Sequence, residues 1–359
     1  MVGMRKGWVI GLALLAGAIG ECVAQPLPTP SERMKAETAA AVPMIVEDEA
    51  TTAKDRIRNE ATTLLNNHDY HGLDALAARL RRSTQTFAQG DSPIAYFYFE
   101  VADLPETSAP AEWKARMQML RDWFENDPDS LTARVGMAYG LSRYAWQARG
   151  GGWASEVSQE GWQLFAERLT EARRILIAAE SFATRCPVFY SIRLRVAQVD
   201  GTPREQYEQF FEEAVSAFPT YANFYKNRAY YLLPRWFGAP GEWEAFAAAS
   251  ADRIGGGAGD ILYAQIIWSM HDGRIFGNIF KEADLKWPRV QKGFKALCRR
   301  YPNSIAAPSE YCSISGFAPD GARQTMRGLF LRLGNRVDLS VWRTKERWAQ
   351  DRSWAFSSN

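Results

Sequence analysis

A chain of 359 residues, 47% hydrophobic and 23% charged, has ordinary globular composition and ample apolar material for a core. The formal net charge is +2 and no long basic run occurs, so neither a nucleic acid nor an anionic membrane surface is expected as a partner. Aromatic residues make up 13%, with 13 Trp, which is more ring surface than a loop-rich chain would keep in water.

The N-terminus has the grammar of a secretory signal peptide over residues 1–24. Arg5 and Lys6 give a positive start, Trp8 to Ile19 an apolar run, and Cys22-Val23-Ala24 small residues before Gln25. The alternative is a single anchoring helix, but the run falls short of the ~20 residues that span a bilayer. Glu21 directly before Cys22 argues against a lipid-modified cysteine. The protein is therefore expected to be exported, periplasmic or secreted, with no membrane span after cleavage. Loss of Arg5, Lys6 and Glu21 would change the charge from +2 to +1 (+2 − 2 + 1). Four cysteines occur, and Cys186, Cys298 and Cys312 would remain in an oxidising compartment. Cys298 and Cys312 lie near either end of a helix-turn-helix pattern. A bridge between them, contributing about 3 kcal/mol, is one expectation, and two separately buried thiols is the other.

Residues 25–53, rich in Pro, Ala, Thr and Glu without clear periodicity, read as a flexible leader. From Asp55 a helical period takes over, and residues 54–345 form the folded domain, with 346–359 as a tail. Ile57, Ala61, Leu64 and Leu65 share one face; Asn66 to Asp69 is a turn; Leu73, Leu76, Ala77 and Leu80 share the next face. Ala95 to Val101 is the one stretch that passes for a strand, although a helix packed on several sides fits it as well. Trp113, Met117, Leu120, Trp123 and Phe124 follow at helical spacing. Asp127-Pro128-Asp129-Ser130 stops that helix and caps another through Tyr144 and Trp146.

Arg149-Gly-Gly-Gly-Trp153 breaks the pattern, and Trp162, Phe165, Leu169, Ala172 and Leu176 restore it. Val188 to Val199 is a further helix. Tyr207, Phe210, Phe211, Ala214, Val215 and Phe218 form the strongest amphipathic stripe. A helix enters Tyr231 to Glu244, where Pro234, Gly238, Pro240 and Gly241 interrupt it, and another leaves toward Ile254. Gly255 to Asp260 reads as a connector, with a helix after it. Val290, Phe294, Leu297, Cys298 and Tyr301 form a stripe, as do Ala322, Met326, Leu329, Phe330 and Leu333, with Gly334 as C-cap. Asp127-Pro128, Phe218-Pro219 and Tyr301-Pro302 each end one helix ahead of a residue able to open another. Pro187 to Pro219 is 32 residues, close to the roughly 34 of a tetratricopeptide repeat. The expected fold is all-α, with tetratricopeptide-like helical hairpins packed as a right-handed solenoid-like array with a concave side.

Leu232-Leu-Pro-Arg-Trp-Phe-Gly238, the Gly-Glu-Trp-Glu-Ala-Phe-Ala run after it, Trp287-Pro-Arg-Val-Gln-Lys-Gly-Phe294, Tyr301-Pro-Asn-Ser304, Val341-Trp342 and Ala145 to Ala154 carry a resemblance. The chain resembles, over residues 55–345, a bacterial family known only as a domain of unknown function with tetratricopeptide-like helices. The resemblance implies a helical fold and an uncharacterised role, and it supplies no catalytic residues. The chain departs from the pattern at Phe237 and at Phe317-Ala318-Pro319.

Two loops place an arginine and a tryptophan beside glycine: Arg149 with Trp153, and Arg235 with Trp236. Arginine suits bidentate recognition of carboxylate and stacks on rings, so the two loops are candidates for a shared anion or peptide site. The plainer reading makes each Trp a core plug and each Arg a partner of helix C-terminal carbonyls. Asp260, after the glycine run, is a candidate ligand contact at a helix N-terminus, or simply an N-cap. The run lacks a P-loop Lys-Ser/Thr. His68, Asp69 and His71 are too few for a closed zinc site, so no metal and no cofactor is expected. The reading is an exported module that binds a protein, peptide or envelope ligand through a concave aromatic and arginine surface. The alternative is an enzyme with carboxylates in that groove, for example a glycan-active one with Glu242 or Glu244, which requires a buried Glu of raised pKa.

Overall fold

The computed structural model describes residues 42–357 apart from 48, 106, 183–184, 274 and 320–321. The signal segment and residues 25–41 of the leader lie outside the described residues.

The described chain is all-α, about seventeen helices packed mostly against their sequence neighbours, with one two-residue ladder. In order the helices are α1 (Glu49–Asn66), α2 (Tyr70–Arg81), α3 (Pro93–Ala102), α4 (Pro110–Asn126), α5 (Leu131–Arg149), α6 (Gln159–Ala179), α7 (Pro187–Ala197), α8 (Arg204–Ala217) and α9 (Ala222–Tyr231). They continue with α10 (Glu242–Ile254), α11 (Gly256–Asp272), the single-turn α12 (Ile279–Glu282), α13 (Trp287–Arg300), α14 (Ala306–Ser315), α15 (Ala322–Leu333), α16 (Leu339–Trp342) and α17 (Lys345–Phe356). The helix ends follow local chemistry. Ser92, Ser130 and Ser158 each accept from a backbone N–H three residues on, and prolines open α3, α4 and α7. Gly150 ends α5 at φ 72°, a left-handed position that glycine reaches without a Cβ penalty. Residues 95–101 are helical, in α3.

Two kinds of helix alternate. α4, α6, α8, α10 and α13 each bury one stripe. In α8 that stripe is Tyr207, Phe211, Ala214 and Val215, with polar residues outward. α3, α5, α7, α9, α11 and α14 are buried on several sides: ten of the eleven residues of α7 and all ten of α14 are buried. The second set also touches itself along the chain. α1 packs on α3, α3 on α5, α5 on α7, α7 on α9, α9 on α11, and α11 on α14. These helices form an inner row, and the amphipathic helices cover it from outside.

An irregular segment, residues 82–92, crosses the inner row. Gln265 of α11 donates to the Ala88 carbonyl (2.9 Å), and Lys226 of α9 donates to the Gln89 carbonyl (3.0 Å) and pairs with Asp91 (3.2 Å). Gln89 donates to Glu310 of α14 (2.6 Å), and Thr86 shares a hydrogen bond with the Tyr301 hydroxyl (2.5 Å). Phe87 and Ala88 are buried in the crossing.

Three sequence expectations need correction. The leader does not run free to residue 53: Met44–Ile45 (β1) pairs in parallel with Arg336–Val337 (β2), and α1 already begins at Glu49. The segment set apart as a tail forms α17, because Trp348, Arg352 and Ala355 make one buried stripe, with Trp348 edge-on to Phe330 at 5.9 Å. Finally, Gly256 to Asp260 is the first turn of α11, not a connector. A Cβ on Gly259 would stand 2.1 Å from the Ala251 carbonyl, so glycine is there to let α10 and α11 cross closely, and packing overrides its poor helix propensity.

Candidate functional site

The inner row lines a half-open cavity of about 500 Å³, within the size range of small-ligand sites. Each inner helix from α1 to α11 contributes to it. α1 gives Lys54; α3 gives Ala95, Tyr96 and Phe99; α5 gives Tyr139; α11 gives Ser269 and Met270. α7 gives Val188, Ser191, Ile192 and Arg195, and α9 gives Asn223, Lys226, Asn227 and Tyr230. Both sets run i, i+3, i+4, i+7, so one face of each helix looks into the cavity. Asp91 from the crossing segment and Tyr221 complete the lining.

The electrostatics are uneven. Lys226 is spent on Asp91 and the Gln89 carbonyl. Burial pushes the Asp91 carboxyl up, but Lys226, Lys54 and Asn223 outweigh it and hold the group below the usual range, so it stays ionised. Lys54 lies 4.9 Å from the Phe87 ring centroid and 5.6 Å from that of Tyr96, and Arg195 lies 5.7 Å from that of Tyr139. Among the described residues neither Lys54 nor Arg195 has an ion-pair partner; the acid in the lining, Asp91, pairs with Lys226. Three cations against one carboxylate leave the lining at +2. Burial, with Glu100 beside it, pushes the Tyr96 hydroxyl up to about 12, so it stays neutral and bonds Arg58 at 2.7 Å. Ser191 is 7% exposed, and its Oγ has no hydrogen-bond partner in the protein. The oxygen is itself buried, closed off from the hollow beside it, at a cost of about 1–3 kcal/mol.

A second hollow of about 420 Å³ lies between α6, α7 and α8. Most of its charges are paired: Arg193 pairs with Glu180 (3.3 Å) and Glu213, and Arg173 with Asp200 (3.5 Å), while Arg185 donates to the Tyr190 hydroxyl (2.8 Å).

The residues singled out by sequence sit elsewhere. Arg149 donates to the Gly150 and Gly152 carbonyls (3.1 and 2.6 Å) and lies over Trp146 and Trp162, so it braces its own loop. Trp153 is 80% exposed. Arg235 donates to the Tyr230 hydroxyl (3.0 Å), and Trp236, half-buried, packs on the same Tyr230 ring. The contacts of Arg149 stay within residues 146–162 and those of Arg235 within 230–236; none joins the two loops. Arg235 reaches the cavity indirectly, through Tyr230. Asp260 is inside α11 and pairs with Lys292 (3.0 Å); the N-cap position is Gly255.

Cys298 and Cys312, like Cys186, are buried free thiols, which burial pushes up; Cys298 reaches about 11. Among the described residues no group of three His, Cys, Asp or Glu is placed to hold a metal ion. Glu242 bonds the Ala239 N–H (2.8 Å) and Arg204, which hold its carboxyl low; it is a helix-start fixture. The deeply buried carboxyl pushed high is Glu310, at about 8, held by Gln89 and outside the cavity lining. The cavity faces of α7 and α9 are not legible in the sequence, because their polar residues recur at the helical period among apolar ones and leave no single apolar stripe. Among the described residues no helix is long and apolar enough to cross a membrane. Comparison of the chain with family models, with curated proteins and with solved structures finds no match.

Proposed function

We propose that this chain is an exported binding module that holds a small envelope ligand, or the end of a peptide, in the cavity of its inner row. The observation that carries the reading is that six successive inner helices each turn polar or aromatic side chains into one hollow of about 500 Å³. Lys54 and Arg195, which have no ion-pair partner among the described residues, are what a ligand would satisfy. The alternating contacts of inner and outer helices are consistent with stacked helical hairpins of the tetratricopeptide kind, and kinship with the family of unknown function is part of the same proposal. Export rests on the signal-like residues 1–24. The concave aromatic and arginine surface expected from the sequence is retained, but with Arg195, Tyr96, Tyr139 and Tyr230 in place of the two loops. A glycan-active enzyme has less support, because the single carboxylate of the lining is neutralised by Lys226.

The test is native mass spectrometry of the protein purified from its own cell envelope, beside an Ala95→Trp variant, at a partly buried position of the lining, whose fold is checked by circular dichroism. An adduct carried by wild type and missing from the variant is expected. An adduct carried equally by both would overturn the cavity as the site.

A further inference from the structure

The charge and shape of the lining also specify the ligand's class. Of the three cations, Lys226 is already matched by Asp91, which the crossing segment brings in from 135 residues away in sequence. Arg58, at the Tyr96 hydroxyl, is matched by Asp55 and Glu100. Lys54 on α1 and Arg195 on α7 are left over. They stand on different walls of the hollow, each against a tyrosine ring. Charges partly withdrawn from water are costly unless paired, and the lining lacks two negative charges to close its account. The rest of the lining is mostly apolar, with the rings of Tyr96, Phe99 and Tyr139 and the aliphatic Val188 and Ile192, and favours a flat apolar body.

Resting on the cavity reading above, we infer that the site takes a planar organic dianion, its two charges held by Lys54 and Arg195 and its body against Tyr96 and Tyr139. Asp91 acts as a built-in counter-ion that occupies Lys226 and so sets at two the charge the ligand brings. A dicarboxylate and a phosphate monoester share this chemistry.

The experiment is isothermal titration of the full chain at low salt with terephthalate, phenyl phosphate, benzoate and benzamide. Both dianions are expected to bind roughly tenfold or more tighter than benzoate, and benzoate tighter than benzamide, with the differences shrinking as salt rises. The stronger of terephthalate and phenyl phosphate identifies carboxylate or phosphate as the natural group. Arg195→Gln should bring the dianions down to the benzoate level. Asp91→Asn, which frees Lys226, should tighten benzoate, a gain that a merely structural role for Asp91 would not produce. If benzamide binds as well as the dianions and Ala95→Trp abolishes all of it, the dianion class is overturned while the cavity stands. If no probe binds, or if Ala95→Trp leaves binding unchanged, both are overturned.

Discussion

α8 and α9 are consecutive helices with opposite logic. α8 turns Tyr207, Phe211, Ala214 and Val215 inward and leaves its polar residues to solvent. α9 turns Asn223, Lys226, Asn227 and Tyr230 toward the cavity and buries Phe224, Tyr225 and Ala229 elsewhere. In this pair, an apolar stripe marks the helix that covers, and a polar stripe marks the one that faces the half-open hollow. The first kind of residue carries stability; the second kind is available for recognition.

The sharpest way to break that contrast is a matched pair of truncations. Phe211, fully buried and edge-on to Tyr225 and Phe246, should cost about 3–5 kcal/mol as Phe211→Ala, read as a lowered urea midpoint. Asn227→Ala should cost less than about 1 kcal/mol, since its one bond to the protein, to the Ser191 carbonyl, is long at 3.4 Å. Equal losses would mean that the polar face of α9 is structural.

The inner row also buries a polar group outright. A carboxyl whose folded value is raised from 4.5 to about 8, as burial does to Glu310, costs the fold nothing below pH 4.5 and progressively more as pH rises toward 8. Glu310→Gln should therefore gain on wild type between pH 4 and pH 9, by up to roughly 4 kcal/mol in chemical denaturation at the two pH values. An unchanged difference across that range would show the carboxyl to be ionised in the fold. His271 is shared by both proteins and cancels in the difference.

Gly238 tests a loop rather than a row. A Cβ there would lie 1.9 Å from the Leu232 carbonyl oxygen, so Gly238→Ala should lose about 1–3 kcal/mol of stability and lower the melting temperature. The smallest effect is expected at Trp153, 80% exposed, where Trp153→Ala should stay within about 0.5 kcal/mol of wild type. A large loss there would return the Arg149 loop to the core, as the plainer sequence reading has it.

What could be read from the chain divides along the same line. Asp127 to Ser130 announced a stop and a cap, and the structure has Asp127 ending α4 and Ser130 accepting from the Ala133 N–H. The stripes of α8, α13 and α15 were legible because burial on one side imposes a 3.6-residue period. Trp162 was read as part of such a stripe but is 39% exposed, its ring at the edge of Phe165. Lys226 and Asp91 meet only because residues 82–92 cross the inner row, and no local pattern encodes a contact of that separation. The two Arg-Trp loops drew attention through composition, and composition does not say which way a loop faces.

The ladder of β1 and β2 has a mechanical consequence. It joins Met44 and Ile45 to Arg336 and Val337, through the Met44 N–H to the Asn335 carbonyl and the Val46 N–H to the Val337 carbonyl. Because the strands are parallel, tension applied to the two ends of the chain pulls them in opposite directions along their length. The ladder is loaded in shear, with its bonds sharing the force instead of unzipping one after another. Almost every helix lies inside the loop it closes, so most of the fold is shielded from the pull until the ladder slips.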